Sequence, residues 1–164
     1  MDLTINTAHP TIMDAIVFAW LEADRLDNGE YDEWLSMWTP DARYIVPVEP
    51  GVTDFKAHLN YAYDDHAMRE KRIERMLSGV SVSASPLAVT ARSLSRFRLL
   101  SDDGETIELR CMQRLTEFRR GRSRDYAANV EFRLKREPSG LKIDQKVIRL
   151  INADHALGGI SYIL

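Results

Sequence analysis

Cysteine is almost missing from the sequence: Cys111 is the only one among 164 residues. One thiol cannot close an internal disulfide, and it cannot supply the roughly four ligands of an iron–sulfur cluster, so a disulfide scaffold and a cluster held by this chain alone are excluded. Lying in an alternating apolar pattern, Cys111 reads as a core side chain in a reducing compartment. Histidine is scarce too. His9, His58, His66 and His155 are the whole set, and none stands in a His-x-Asp, His-x-Glu or His-Glu-x-x-His spacing, so no mononuclear metal site is predicted. Phosphate-binding glycine loops are missing, since Gly158-Gly159 is a bare pair rather than a strand-to-helix turn. No run approaches the roughly 18 apolar residues of a membrane span, and MDLTINTAHP lacks the basic start and apolar run of a signal peptide, so a cytoplasmic location is expected. A basic excess is also lacking: the formal net charge is −3, which speaks against nucleic acid and anionic membrane as partners.

What is present is a chain with enough apolar content, 45%, to fold as one domain over residues 1–164, with residues 1–10 expected as a loosely ordered arm. Ile12, Ile16, Ala19, Ala23 and Leu26 recur at helical spacing, and Thr11 after Pro10 is a natural cap. Asn28-Gly29 breaks this helix. Glu30 to Trp38 predicts a short second helix with Tyr31, Trp34, Leu35 and Trp38 turned inward, ended by Pro40. Ala42 to Val48 reads as a strand whose Pro47 marks an edge or a bulge. His58 to Leu77 reads as a third helix. From Gly79 onward the period is two. Val89, Ala91, Phe97 and Leu99 share one parity before the turn at Ser101–Gly104, and Ile107, Leu109, Cys111 and Leu115 share one after it. Tyr126, Ala128, Val130, Phe132 and Leu134 alternate with polar residues, and after Pro138-Ser139-Gly140 a last strand carries Leu141, Ile143, Val147 and Ile151. Helices followed by a long antiparallel run predict an α+β fold, a cone-shaped curved sheet wrapped around helices.

Three residues form the candidate acid–base set: Asp65 and His66, beside Asp64, together with Tyr44. Gln113 and Gln145 fall on the apolar parity of their strands and could face a cavity with them. A structural reading competes, because neighbouring helical positions point about 100° apart and Asp64, Asp65 and His66 then cannot converge on one substrate. Arg119, Arg120, Arg122 and Arg124 mark a solvated hairpin turn. Arg69, Lys71, Arg72 and Arg75, interleaved with Glu70 and Glu74, pair among themselves or meet a partner's carboxylates.

FAWLEADRLDNGEYDEWLSMWTPDARYIVPV resembles the opening of the small (β) subunits of bacterial aromatic-ring-hydroxylating (Rieske non-haem iron) dioxygenases. The matching features are Glu22, Ala23, Leu26, Asp27, Tyr31, Trp34, Leu35, Asp41, Tyr44, Pro47 and Val48. In order along the chain follow Asp64-Asp65 with Arg72-Ile73-Glu-Arg75, Pro86 with Arg92, and LINADHALGGISYIL, which resembles the family's terminal strand. Ser93, Leu94 and Ser95 depart from the usual asparagine-bearing strand start, so the substrate branch stays open. The resemblance implies a cystatin-like cone of the nuclear-transport-factor and ketosteroid-isomerase type, with no catalytic, cofactor or metal residue on this chain. It implies a partner large (α) subunit that carries the Rieske 2Fe-2S cluster and mononuclear Fe(II), with NAD(P)H as electron source, in a hexamer of three large and three small chains that cis-dihydroxylates arenes. The small chains are expected to trimerise. In isomerase-like relatives of the fold a catalytic carboxylate commonly precedes the proline of the first strand, and the matching position is Val46. The alternative is a stand-alone cone-fold dehydratase or isomerase using Asp65, His66 and Tyr44.

Overall fold

The computed structural model describes residues 10–83, 87–155 and 163–164. Residues 1–9, with His9, and Pro86 and Gly158-Gly159 lie outside the described residues. Pro10 belongs to the fold, being buried with its carbonyl accepting from Arg136 Nε and Nη2 at 3.1 and 2.9 Å.

Helix α1 spans Ile12–Asp27 and begins in a capping box: Asp14 N–H donates to Thr11 Oγ1, and Thr11 N–H donates to Asp14 Oδ2 at 2.7 Å. That exchange satisfies two amides the first turn would otherwise leave orphaned. Its buried stripe is Ala15, Phe18, Ala19, Glu22, Ala23 and Leu26, the expected apolar face with one carboxylate in it. Gly29, at φ +72°, takes the left-handed conformation that ends the helix without a Cβ clash.

Helix α2, Tyr31–Ser36, is shorter than its aromatic spacing predicts, and Trp38 begins strand β1, Trp38–Pro47. Sheet pairing overrides helix periodicity here, because Ile143 N–H donates to Met37 O at 2.8 Å and Trp38 pairs with Ile143. Pro40 therefore lies inside β1, in an unpaired stretch between Trp38 and Arg43 where its missing N–H costs no ladder bond. Pro47 sits at a register shift against strand β2, Asn60–Asp64, as a bulge proline should.

The third helix starts later than expected. A 3₁₀ turn, Phe55–Ala57, leads into β2, and helix α3 runs His66–Ser83. Asn60 Nδ2 closes the preceding loop on the carbonyls of Phe55 and His58, and β2 then pairs Tyr63 with Ile45 and Asp64 with Tyr44. Tyrosines suit that half-buried ladder. Asp65 caps α3, its Oδ1 accepting from Met68 N–H at 2.9 Å.

Strands β3 (Val89–Asp102), β4 (Thr106–Arg119), β5 (Arg122–Glu137) and β6 (Gly140–Leu150) complete one curved six-stranded sheet of order β2-β1-β6-β5-β4-β3. The sheet is mixed, not wholly antiparallel, because β1 joins β6 in parallel. β4 and β5 stay in register from Thr106–Lys135 to Arg119–Arg122 across the tight turn Arg120-Gly121, whose two positive φ values, 52° and 74°, are those of a primed hairpin turn. Ile107, Leu109, Cys111 and Leu115, and Tyr126 through Leu134 at alternate positions, are buried as predicted.

Register shifts overturn the parity expected for β3 and β6. On β3 the pairing slips between Ser95 and Arg98, with Arg96 at φ +56°. Before the slip Leu94 is buried while Val89 and Ala91 are exposed; after it Phe97 turns in and Leu99 stays out. On β6 the slip opposite Arg133 and Leu134 moves the inward phase from Leu141 and Ile143 to Lys146, Ile148 and Leu150. Gln145 therefore faces outward, and Ile151, 72% exposed, lies beyond the strand in a turn. Residues 151–155 are turns rather than the expected terminal strand.

Candidate functional site

Inside the cone, α1 and β6 supply the charged pair. Lys146 Nζ donates to both carboxylate oxygens of Glu22 at 2.9 Å, and Trp34 Nε1 donates to Glu22 Oε1 at 2.7 Å. Both charged side chains are fully buried. Burial lowers the Lys146 pKa, and the Glu22 carboxylate opposes that shift. The ammonium also lies 5.4 Å from the centre of the Phe132 ring. Each charge thus has its counter-charge within the chain, the condition under which such groups persist in a dry interior.

Next to this pair Trp34, Trp38 and Tyr44 meet edge to face, with ring centres 5.2 to 6.4 Å apart. Edge-on aromatics of this kind bury large area and add roughly 0.5–1.5 kcal/mol per pair beyond it. The tryptophans that crowd the α2 segment are therefore core. Tyr44 is buried, its hydroxyl accepts from Leu164 N–H at 3.0 Å, and burial pushes its pKa upward. A buried phenol of this kind stays protonated.

Asp65 and His66, the other two members of the acid–base set, are exposed on the first turn of α3. Asp65 acts as the cap already described, and His66 Nε2 lies 3.3 Å from Glu70 Oε1 one turn on. The structure does not bring the three residues together. The carboxylate beside Tyr44 is Asp64, register partner of that tyrosine, and it is held by Arg72 through Nε at 2.6 Å and Nη2 at 3.0 Å. The expectation that Asp64, Asp65 and His66 share a helix gives way to one residue closing β2 and two opening α3.

Gln113 is buried with Oε1 unpartnered, whereas Gln145 lies on the outer face beside Glu108, Glu131 and Arg133. The arginines of α3 also divide. Arg69 is fully buried, its guanidinium stacked 4.4 Å over Trp38 and Nη1 donating to the carbonyls of Ala42 and Asp64. Burial lowers its pKa to about 10. Arg69 and Arg72 are therefore bound into the fold rather than displayed on a charged face. Arg124 on the β5 side of the hairpin pairs with Glu117 at 2.8 Å and lies 5.7 Å from the Tyr126 ring.

Sequence reasoning missed the Glu22–Lys146 pair, although one signal was available: Glu22 falls on the apolar stripe of α1, where an acid needs a partner. It also missed the pairing of Asp27 with Arg92. Asp27 Oδ2 accepts the Arg92 N–H at 2.7 Å, its Oδ1 meets the Arg92 guanidinium, and Arg92 Nη2 reaches the Ile163 carbonyl. That link ties the end of α1 to β3 and to the C-terminal residues.

A metal group does not fit these residues. Among the described residues no three His, Cys, Asp or Glu side chains gather as a ligand set. Cys111 is buried, and burial pushes its thiol up to about 12, away from the thiolate that iron requires. No helix among the described residues is long and apolar enough to cross a membrane.

Comparison with known proteins agrees with this geometry. The family profile described as "Ring hydroxylating beta subunit" matches residues 21–154. The 2-halobenzoate 1,2-dioxygenase small subunit of Burkholderia cepacia is 28% identical over 153 residues, covering 90% of this chain and 93% of that protein. The β subunit of the benzoate 1,2-dioxygenase from Burkholderia mallei superposes with a TM-score of 0.76 at 21% identity, over 98% of this chain and 99% of that one. An NTF2-like protein with a cystatin-like fold from Novosphingobium aromaticivorans superposes at 0.58 with 15% identity, over 82% and 78% of the two chains. A curved-sheet fold with a buried Glu22–Lys146 pair, matched along most of its length by this profile, belongs to the ring-hydroxylating β-subunit family, and the chain is the small subunit of an aromatic-ring-hydroxylating dioxygenase.

Proposed function

We propose that this chain is the non-catalytic scaffold of its dioxygenase, folding as a single domain and joining three large and three small chains into one hexamer. The large chain supplies the Rieske cluster and the mononuclear iron, NAD(P)H supplies electrons through separate reductase components, and the small chains trimerise. The observation that carries this reading is the interior of the cone. Lys146 and Glu22 neutralise each other there, with Trp34 donating to the same carboxylate, and the position matching the isomerase carboxylate is Val46, itself buried. Asp65 and His66 serve the first turn of α3 instead. In the reconstituted dioxygenase, Asp65→Asn and His66→Ala should leave arene turnover within about twofold of wild type. A fall of a hundredfold or more in an intact assembly would return catalysis to this chain. We place the protein in the cytoplasm, where the partner's iron chemistry has its electron donors.

A further inference from the structure

At the mouth of the cone, between the end of α1, the start of β3 and the C-terminal residues, lies a cavity of about 210 Å³. Leu26, Met76, Leu87 and Ile163 give it apolar walls, and Tyr31, Thr90, Asp27 and Arg92 supply its polar atoms. The volume matters first. An engineered dry cavity of roughly 150 Å³ takes up benzene, so this one has room for a single six-membered ring with a small substituent.

Charge then narrows the class. Asp27 and Arg92 are spent on each other: both Asp27 oxygens are occupied by Arg92, with Thr90 Oγ1 donating to Oδ1 at 2.9 Å, and Arg92 Nη2 is taken by the Ile163 carbonyl. An anion or cation entering the cavity finds no free counter-charge and loses its water for nothing. Two donors do remain. Arg92 has a side chain only 2% exposed, and its Nε is buried with no partner. Among the described residues the Tyr31 hydroxyl reaches only the Met76 sulfur, at 4.0 Å, a weak acceptor. Burial raises the Tyr31 pKa, so its proton stays on the oxygen.

We propose that this cavity is a binding site for a small uncharged cyclic compound, one six-membered ring bearing a single hydrogen-bond acceptor such as a hydroxyl, ether or carbonyl oxygen. The ring lies against the apolar wall and the acceptor takes the Tyr31 O–H. The ligand touches α1, β3 and Ile163 together, so its binding clamps the C-terminal residues to the mouth of the cone. All the residues involved belong to this chain, and the site does not depend on the scaffold reading.

Fluorine NMR on the full-length chain tests this, using 4-fluorophenol, fluorobenzene and 4-fluorobenzoate as probes. The first two should bind saturably with Kd on the order of 0.1–1 mM, and the charged benzoate at least about tenfold more weakly. Tyr31→Phe, a conservative change, should weaken 4-fluorophenol about fivefold and leave fluorobenzene within about twofold, which is the loss of one neutral hydrogen bond. Leu87→Trp, filling the cavity from its half-open side, should abolish binding of both. The proposal is overturned if neither uncharged probe saturates, if 4-fluorobenzoate binds as tightly as 4-fluorophenol, or if both variants bind as wild type does.

Discussion

Removing the ammonium of Lys146 leaves the Glu22 carboxylate in a dry interior with only the Trp34 N–H beside it. Lys146→Met should therefore destabilise the chain by about 3–5 kcal/mol, the cost of an orphaned buried charge. Replacing both charges, Glu22→Leu with Lys146→Met, should recover most of that loss. A deficit of about 1–3 kcal/mol should persist, because Trp34 Nε1 then has no acceptor. Urea unfolding of the single and double variants measures both numbers. If the double variant were no better than the single, the pair would not be the source of the cost.

Asp102 gives a pH signature of the opposite kind, at the surface. Arg136 holds it in a two-pronged pair at 2.6 and 2.9 Å, and that hydrogen bond, aided by Gly104 N–H, lowers its pKa from 3.8 to about 2. A carboxylate whose pKa is depressed on folding stabilises above its ordinary value and loses that contribution as pH falls. The contribution is thus complete above about pH 5 and disappears between about pH 4 and 2. Being largely solvent-screened it is worth about 1 kcal/mol or less. Asp102→Asn should flatten the stability profile in that window, as read by thermal melts stepped through pH.

At the scale of elements, the slip in β3 decides which side chains enter the core. Arg96 holds φ +56° there, a conformation costly for a side-chain-bearing residue and free for glycine. Arg96→Gly should be neutral or stabilising by up to about 1 kcal/mol, and Arg96→Val destabilising by about 1–2 kcal/mol, in the same urea assay. On α1 the capping box predicts a loss of about 1 kcal/mol for Thr11→Ala.

The same elements mark what could be read in advance. α1, β4 and β5 were legible because one period runs through each without interruption, and their buried positions are the ones the period names. β6 is present where expected with Leu141, Ile143 and Val147 buried, but the parity predicted for β3 and for the end of β6 fails because a bulge shifts it by one residue and leaves no mark in the hydrophobic pattern. β2 falls inside a predicted helix because Asn60–Asp64 is too short to establish a period of its own, and its strand character comes from pairing with β1. The candidate site divides the same way. Trp34 could be placed as core from its helical spacing, whereas the Glu22–Lys146 pair joins residues 124 positions apart, and only the folded sheet and helix bring them together.

For the whole molecule, the sheet order leaves β2 and β3 at its two edges. β3 is partly covered where Asp27 takes the Arg92 N–H and Trp20 Nε1 donates to Leu94 O at 3.3 Å. Exposed apolar side chains remain at Val89 and Phe118, which face each other across β3 and β4, and at Leu59 and Ile151. Outer faces that keep such groups are suited to contact with a partner chain.

Native mass spectrometry of the tagged chain, co-expressed with its large subunit and purified through the tag, tests that claim most directly. The expected result is one complex of three large and three small chains, with iron travelling in the large chain. A small chain recovered alone, as a monomer or as a homo-oligomer that turns over a substrate without the large subunit, would contradict it.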